Sequence, residues 1–184
     1  MDEQGNVVVS TQTVNGLLGS GMVIPGTGIL MNNEMDDFAA KVNSSNLFGA
    51  IGGKNNLVAP RKRPLSSMSP TIVLKHHEPI FAVGAPGGTR IITCVIQTIL
   101  NYFDFQLPLY ESVASTRIHH QWKPDTLIVR EPGFTEGNMR KLEKWGHQVE
   151  LNSSPGCYIQ AVAKEKNSLH GVSDPRGEGM ASGY

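Results

Sequence analysis

Two short runs carry most of the chemistry in this chain. Arg63-Pro64-Leu65-Ser66-Ser67-Met68-Ser69-Pro70 sets two hydroxyls side by side. Ala85-Pro86-Gly87-Gly88-Thr89-Arg90 sets two glycines where a strand should turn into a helix. A pair of serine hydroxyls can donate to both oxygens of a carboxylate. Adjacent glycines let backbone N–H groups approach an anion closely, with the helix dipole behind them. Together the runs predict a site for an amino-acid-like ligand with oxyanion stabilisation beside it. Either run alone is ordinary, since Gly-Gly after a strand is commonly a turn and Ser-Ser a loop.

Glu34, Asp36 and Asp37 add a cluster of carboxylates. It suits an ammonium group or general acid–base work, and it equally suits a solvated acidic turn; the residues alone leave these open. No His or Cys stands at ligand spacing from them, so the reading favours neither a metal nor any other cofactor. His119 and His120 are adjacent, and on a strand they point to opposite faces, which favours structural roles with hydrogen-bonded rings. His76-His77 reads as a solvated turn. Asp174-Pro175-Arg176 reads as an Asx-type turn with an ion pair. There is no Gly-x-Ser-x-Gly elbow, and neither cysteine has a nucleophile's surroundings. The residues thus offer a ligand site and oxyanion donors without a convincing nucleophile.

The elements that must position these groups follow from periodicity. Val7 to Thr13 reads as a strand, and Asn15 to Gly28 as Gly-rich loop or short strand. Ala39 to Lys62 is a long ordered loop rich in Asn, Gly and Ser. Thr71–Lys75 and Pro79–Val83 pair as a hairpin across His76-His77-Glu78. The clearest helix runs from about Thr89 to Tyr102, with a wide apolar face of Ile91, Ile92, Val95, Ile96, Ile99 and Leu100. A short helix is expected over Leu109 to Ser115 and a strand over Thr126 to Val129. An amphipathic helix from Thr135 to Trp145 is closed by Gly146. A final hairpin, Cys157–Ala163 with Ser168–Val172, turns at Lys166-Asn167. Strands, then helices, then strands suit an α+β sheet covered by helices on one face. The other face would need a partner layer.

With 184 residues, the chain fits one domain, 1–184, able to bury a core. Its formal charge is zero and 17% of residues are charged, which leaves no nucleic-acid footprint. The short Arg61-Lys62-Arg63 cluster reads as solvated loop. No apolar stretch is long enough to span a membrane, and no signal peptide is visible. Cys94 and Cys157 lie in apolar runs and read as buried free thiols.

Beside these readings stands a resemblance. The segments Thr13-Val14-Asn15, Asn32 to Phe38, Arg63 to Pro70, Gly84 to Arg90, Arg117-Ile118-His119-His120-Gln121-Trp122 and Ser173 to Arg176 resemble, in order and spacing, the small (C-terminal) subunit of γ-glutamyltranspeptidases. The resemblance implies half of the αββα sandwich of an N-terminal nucleophile hydrolase, made by self-cleavage of a precursor. It implies that Thr13 supports the nucleophilic threonine. Asn15, Glu34 and Asp37 would hold the α-amino and α-carboxylate groups of a γ-glutamyl donor, Ser66 and Ser67 the α-carboxylate. Gly87 and Gly88 would supply the oxyanion donors. The implied partners are a large subunit from the same precursor, γ-glutamyl compounds such as glutathione, and an amino acid or peptide acceptor, in the periplasm or outside the cell. Neither nucleic acid nor membrane is implied. Against the family pattern Met1 falls just past the nucleophilic threonine, so the chain alone is expected to be inactive. Relatives acting on glutaryl or poly-γ-glutamyl groups, and a non-catalytic fragment or degenerate copy, are the alternatives.

Overall fold

The computed structural model describes residues 1–130, 133–153 and 156–183. They fall into two compact units: Met1–Thr11 with the chain from Met68 onward, and Gln12–Ser67.

Among the described residues, the strands and α-helices all lie in the first unit. Strand β1 (Thr71–Lys75) turns into β2 (Glu78–Gly84) through His76 and His77. Both histidines have positive φ, 52° and 70°. That is the backbone of a two-residue hairpin turn whose twist matches the flanking strands. Helix α1 (Arg90–Phe103) follows the Gly87-Gly88 turn, and α2 (Leu109–Ala114) follows α1. Then come β3 (Ile118–His119), β4 (Leu127–Arg130), α3 (Glu136–Lys144), β5 (Val149–Asn152), β6 (Gln160–Glu165) and β7 (Ser168–Ser173). One sheet has the order β1-β2-β6-β7 and is antiparallel throughout. The other has the order β3-β4-β5, with β4 and β5 parallel.

Register decides which side chains meet. Val73 pairs with Phe81, Phe81 with Ala163, Val83 with Ala161, and Ala161 with Val172. Paired residues share a face, and this face packs on α1 and α2. Phe81, Val83, Ile91, Cys94, Val95, Leu109, Val113, Ile159 and Ala163 form one buried cluster there. Phe81 stacks on Tyr102 at 5.0 Å and meets Phe103 edge-on at 5.5 Å. On the opposite face lie Ile72 and Leu74, 44% and 59% exposed, so that face carries uncovered apolar surface, as the sequence order suggested.

Four expectations need correction. Val7–Thr13 is not a strand: its side chains alternate between half-buried and exposed, but it pairs into neither sheet. The alternation reflects contact instead, with Val9 and Thr11 lying beside Gly84. The apolar breadth of α1 is not all core: Ile91 and Val95 are buried, while Ile92 and Ile96 are about half exposed. In α3 Met139 and Leu142 are the half-buried residues, as an amphipathic helix requires, but Trp145 at its end is exposed. Gly146 closes the helix at φ 93°, as read, and Thr135, read as its first residue, is its N-cap, the hydroxyl accepting from the Asn138 N–H at 3.2 Å. Finally, the two cysteines are not free thiols. Cys94 of α1 and Cys157 form a disulfide, with Cα atoms 6.8 Å apart.

The second unit has neither α-helix nor extended ladder. Two short 3-10 turns, Glu34–Asp37 and Lys54–Asn56, and isolated bridges such as Ala39 to Leu57 hold it. Asn, Gly and Ser side chains replace a ladder by bonding nearby backbone. Asn46 Oδ1, for example, accepts from the N–H groups of Phe48 and Ala50 at 3.0 and 2.9 Å. Phe38 and Ala39 are its buried apolar residues.

Candidate functional site

The candidate residues predicted from the sequence fall in both units. Thr13, Asn15, Glu34, Asp37, Ser66 and Ser67 belong to the second, Gly87 and Gly88 to the first.

In the second unit, Asn15 sits at φ 70°, a conformation asparagine tolerates better than most residues. Its N–H donates to the Thr13 hydroxyl at 2.8 Å, which closes a local turn. Asn33 fastens that turn to the carboxylate cluster: its carbonyl accepts from the Asn15 side chain at 3.1 Å and its side-chain oxygen from the Gly16 N–H at 2.8 Å.

The three carboxylates sort into two roles. Asp36 accepts from the Leu47 N–H at 3.0 Å and from the Asn15 side chain at 3.5 Å, so it braces the loop. Glu34 and Asp37 stand close enough for one carboxyl, when protonated, to hydrogen-bond the other. Burial pushes the Glu34 carboxyl up, helped by the charge of Asp37 and by the hydrogen bond to it. Burial likewise pushes the Asp37 carboxyl up, with the charge of Asp36 adding and the hydrogen bond from Glu34 opposing. Partly desolvated carboxylates held close together repel each other, and a cation placed between them relieves this. The arrangement therefore suits an ammonium group. Asn46 Nδ2 donates to Asp37 at 3.4 Å.

Ser66 and Ser67 lie on a segment without regular secondary structure, Ser66 exposed and Ser67 half-buried. The segment is tied to the carboxylate turn through Asn56. Its side-chain amide donates to the Asp37 carbonyl at 2.7 Å, and its side-chain oxygen accepts from the Leu65 N–H at 3.0 Å. Sequence reasoning missed Asn33, Asn46 and Asn56. The only signal was the asparagine-rich composition of the loop, which names no partner.

In the first unit, Gly87 and Gly88 form the turn into α1. Their carbonyls accept the first helical bonds, from Arg90 at 3.2 Å and Ile91 at 3.1 Å. Among the described residues neither glycine N–H donates a backbone bond. The φ values are 150° and 58°, open to glycine and strained for other residues. The Tyr158 N–H donates to the Pro86 carbonyl at 3.3 Å, which lays the turn on the segment leading into β6.

That segment is clamped from below. Arg117, 2% exposed, pairs with Asp174 at 2.7 Å and donates to the Cys157 carbonyl at 3.3 Å. Asp174 also accepts from the Ile159 N–H at 3.1 Å. The predicted Asx turn is present, with the Arg176 N–H on Asp174 Oδ1 at 3.1 Å and the Arg176 Nε at 2.9 Å. The buried partner Arg117 was not foreseen, because the two residues are far apart in sequence.

The rings of His119 and His120 are both hydrogen-bonded. His119 is buried, bonded to Thr93 and Gln121 at 2.8 Å each, and the Thr89 hydroxyl donates to the same Gln121 oxygen at 2.8 Å. His120 faces Asp125 at 3.0 Å. Among the described residues no group of three or more His, Cys, Asp or Glu side chains is placed to hold a metal.

The sequence model of the Gamma-glutamyltranspeptidase family matches residues 1–184. The Glutathione hydrolase proenzyme of Escherichia coli K12 is 44% identical over 185 residues, covering 100% of this chain and 32% of that protein. The chain thus spans about a third of the length of such relatives. A gamma-glutamyltranspeptidase from Pseudomonas nitroreducens, solved with L-DON, superposes with a TM-score of 0.94 at 40% identity, over 100% of this chain and 96% of that one. The Helicobacter pylori gamma-glutamyltranspeptidase T380A mutant gives 0.92 at 42% identity, over 96% of this chain and 97% of that one. The α+β, mainly antiparallel architecture is that of these structures.

Proposed function

Because the chain belongs to the γ-glutamyltranspeptidase family, we propose that residues 1–184 act as the small-subunit region of an enzyme that hydrolyses or transfers γ-glutamyl groups, glutathione among its donors. The observation that carries the reading is the paired Glu34 and Asp37 carboxylates tied through Asn56 to the Ser66-Ser67 segment. A γ-glutamyl donor presents an ammonium and a carboxylate on one carbon. Glu34, Asp37 and Asn15 take the ammonium end, and the serine hydroxyls take the carboxylate.

The chemistry follows from what the acyl group needs. A threonine hydroxyl of the whole enzyme adds to the γ-carbonyl carbon, supported by the Thr13 hydroxyl, and its proton passes to a free amine. The negative charge on the former carbonyl oxygen is met by the N–H groups of Gly87 and Gly88. Collapse of this intermediate expels the amine of the leaving group and leaves a γ-glutamyl ester. Water, an amino acid or a peptide then attacks that ester, giving hydrolysis or transfer.

The large subunit of the same precursor, made by self-cleavage, is the proposed partner, and the uncovered apolar residues Ile72, Leu74, Ile92 and Ile96 suit such a neighbour. The Cys94–Cys157 disulfide suits a periplasmic or extracellular setting, where disulfides persist. The test is turnover of a γ-glutamyl anilide by the whole enzyme encoded with this chain. Absence of turnover by the folded, fully assembled protein would leave a non-catalytic copy as the reading. Faster turnover of a glutaryl or poly-γ-glutamyl substrate would redirect it.

A further inference from the structure

The side chain of Asn56 uses both its ends. Nδ2 donates to the Asp37 carbonyl at 2.7 Å, and Oδ1 accepts from the Leu65 N–H at 3.0 Å. The partners are of opposite kind, a carbonyl and an N–H, so the amide has one orientation that satisfies both. One partner is the backbone of the acidic turn. The other is the residue immediately before Ser66. We propose that Asn56 is a positioning residue that sets the spacing between the ammonium-binding carboxylates and the carboxylate-binding hydroxyls, a role resting on the γ-glutamyl reading above.

The spacing matters because of the ligand's covalent geometry. An α-amino acid head group holds its ammonium and carboxylate at a fixed separation on one carbon. Both ends bind at full strength only when the two halves of the receptor are held at the matching separation. The turn bearing Glu34 and Asp37 and the segment bearing Ser66 and Ser67 are otherwise distant in sequence. A rigid amide between their backbones fixes what two loops alone would leave variable.

The backbone of Asn56 is anchored independently of its side chain. Its N–H donates to the Gly53 carbonyl at 3.0 Å, and its carbonyl accepts from the Ala39 N–H at 2.9 Å. Removing the side chain leaves these bonds in place, so the loop keeps its course while the amide bridge from Asp37 to Leu65 is lost.

The experiment uses the whole enzyme with Asn56→Ala and Asn56→Asp. Aspartate keeps the acceptor for Leu65 but sets a carboxylate oxygen against the Asp37 carbonyl, so it breaks one end only. KM and kcat are measured with a γ-glutamyl anilide, and L-glutamate and glutarate are titrated as competitive inhibitors. Glutarate has the carboxylate without the ammonium. The expected result for both variants is a KM and an L-glutamate Ki raised about tenfold, the scale of a lost hydrogen-bonded alignment. The glutarate Ki and kcat should each change by less than about threefold. A merely structural role would lower the active fraction, and so kcat, while leaving both Ki values alone. That pattern, or unchanged KM and Ki, overturns the proposal while the γ-glutamyl reading stands. A wild-type enzyme that turns over no γ-glutamyl anilide removes both.

Discussion

Gly87 lies against Cys157 with no room for a side chain between them. A Cβ at Gly87 would stand 2.6 Å from the Cβ of Cys157 and 2.5 Å from the Gly156 carbonyl oxygen. The glycine is therefore required by packing as well as by its φ of 150°. Gly87→Ala in the whole enzyme must push the turn off the Cys157 segment and misdirect its N–H groups. An oxyanion donor is worth about 2–4 kcal/mol in the transition state and little in the ground state. The expected outcome is a kcat lowered by about two to three orders of magnitude at nearly constant KM. Steady-state kinetics with a γ-glutamyl anilide check it, and an unchanged kcat removes Gly87 from the oxyanion site.

The disulfide below the turn closes a long loop, since Cys94 and Cys157 are 63 residues apart. Chain entropy assigns such a cross-link about 4 kcal/mol of stability. Both cysteines are buried, at 3% and 0% exposure, so replacement also leaves small voids. Cys94→Ala/Cys157→Ala should lower the denaturant midpoint markedly. Equilibrium denaturation of oxidised wild type and double variant measures this; coincident curves would mean the bond adds no stability.

The Arg117–Asp174 pair gives stability a defined acid dependence. Burial alone pushes the Asp174 carboxyl up. The Arg117 charge, the Ile159 and Arg176 N–H groups and the Arg117 hydrogen bond outweigh it, so the net shift is down. A carboxyl with a depressed folded pKa stabilises the fold above its unfolded pKa, about 3.9, and loses that contribution as pH falls through the lower folded value. Asp174→Asn should cost about 3–5 kcal/mol near neutrality, because it leaves Arg117 buried without its counter-charge. The difference between wild type and variant should shrink below about pH 4. Denaturation at a series of pH values checks the trend, and a constant difference would contradict it.

Glu34 and Asp37 are shifted the other way, both up. An ammonium ligand needs them ionised, so affinity is lost as pH falls through their raised values, earlier than for ordinary carboxyls. KM for a γ-glutamyl donor should rise on an acid limb displaced upward from that of ordinary carboxyls. Asp37→Asn keeps the shape and removes the charge. It should lower kcat/KM for the γ-glutamyl donor by a large factor and leave a glutaryl analogue unchanged or improved, since the latter has no ammonium to pair. Measuring kcat/KM for both anilides against pH decides the matter. An equal loss for the two substrates would make Asp37 a structural residue of the turn.

The sequence by itself determined the elements with strong local signals. The hairpin turns at His76-His77 and Lys166-Asn167, the glycine that closes α3 and the Asx turn at Asp174 all follow from a few adjacent residues, and all are where periodicity and turn chemistry put them. The serine pair, the glycine pair and the acidic cluster stand out in the sequence because the chemistry proposed for them needs neighbours in sequence. Tertiary structure alone decided what depends on distant partners. Val7–Thr13 has a strand's alternation but, among the described residues, pairs with no strand of either sheet. Ile92 and Ile96 share a helix with the buried Ile91 and Val95 yet face outward. Cys94 finds Cys157, and Arg117 finds Asp174, across long loops. Asn56 joins Asp37 to Leu65 because a backbone without ladders must satisfy its carbonyls and N–H groups with side chains, and which side chain reaches which group is a property of the folded path, not of composition.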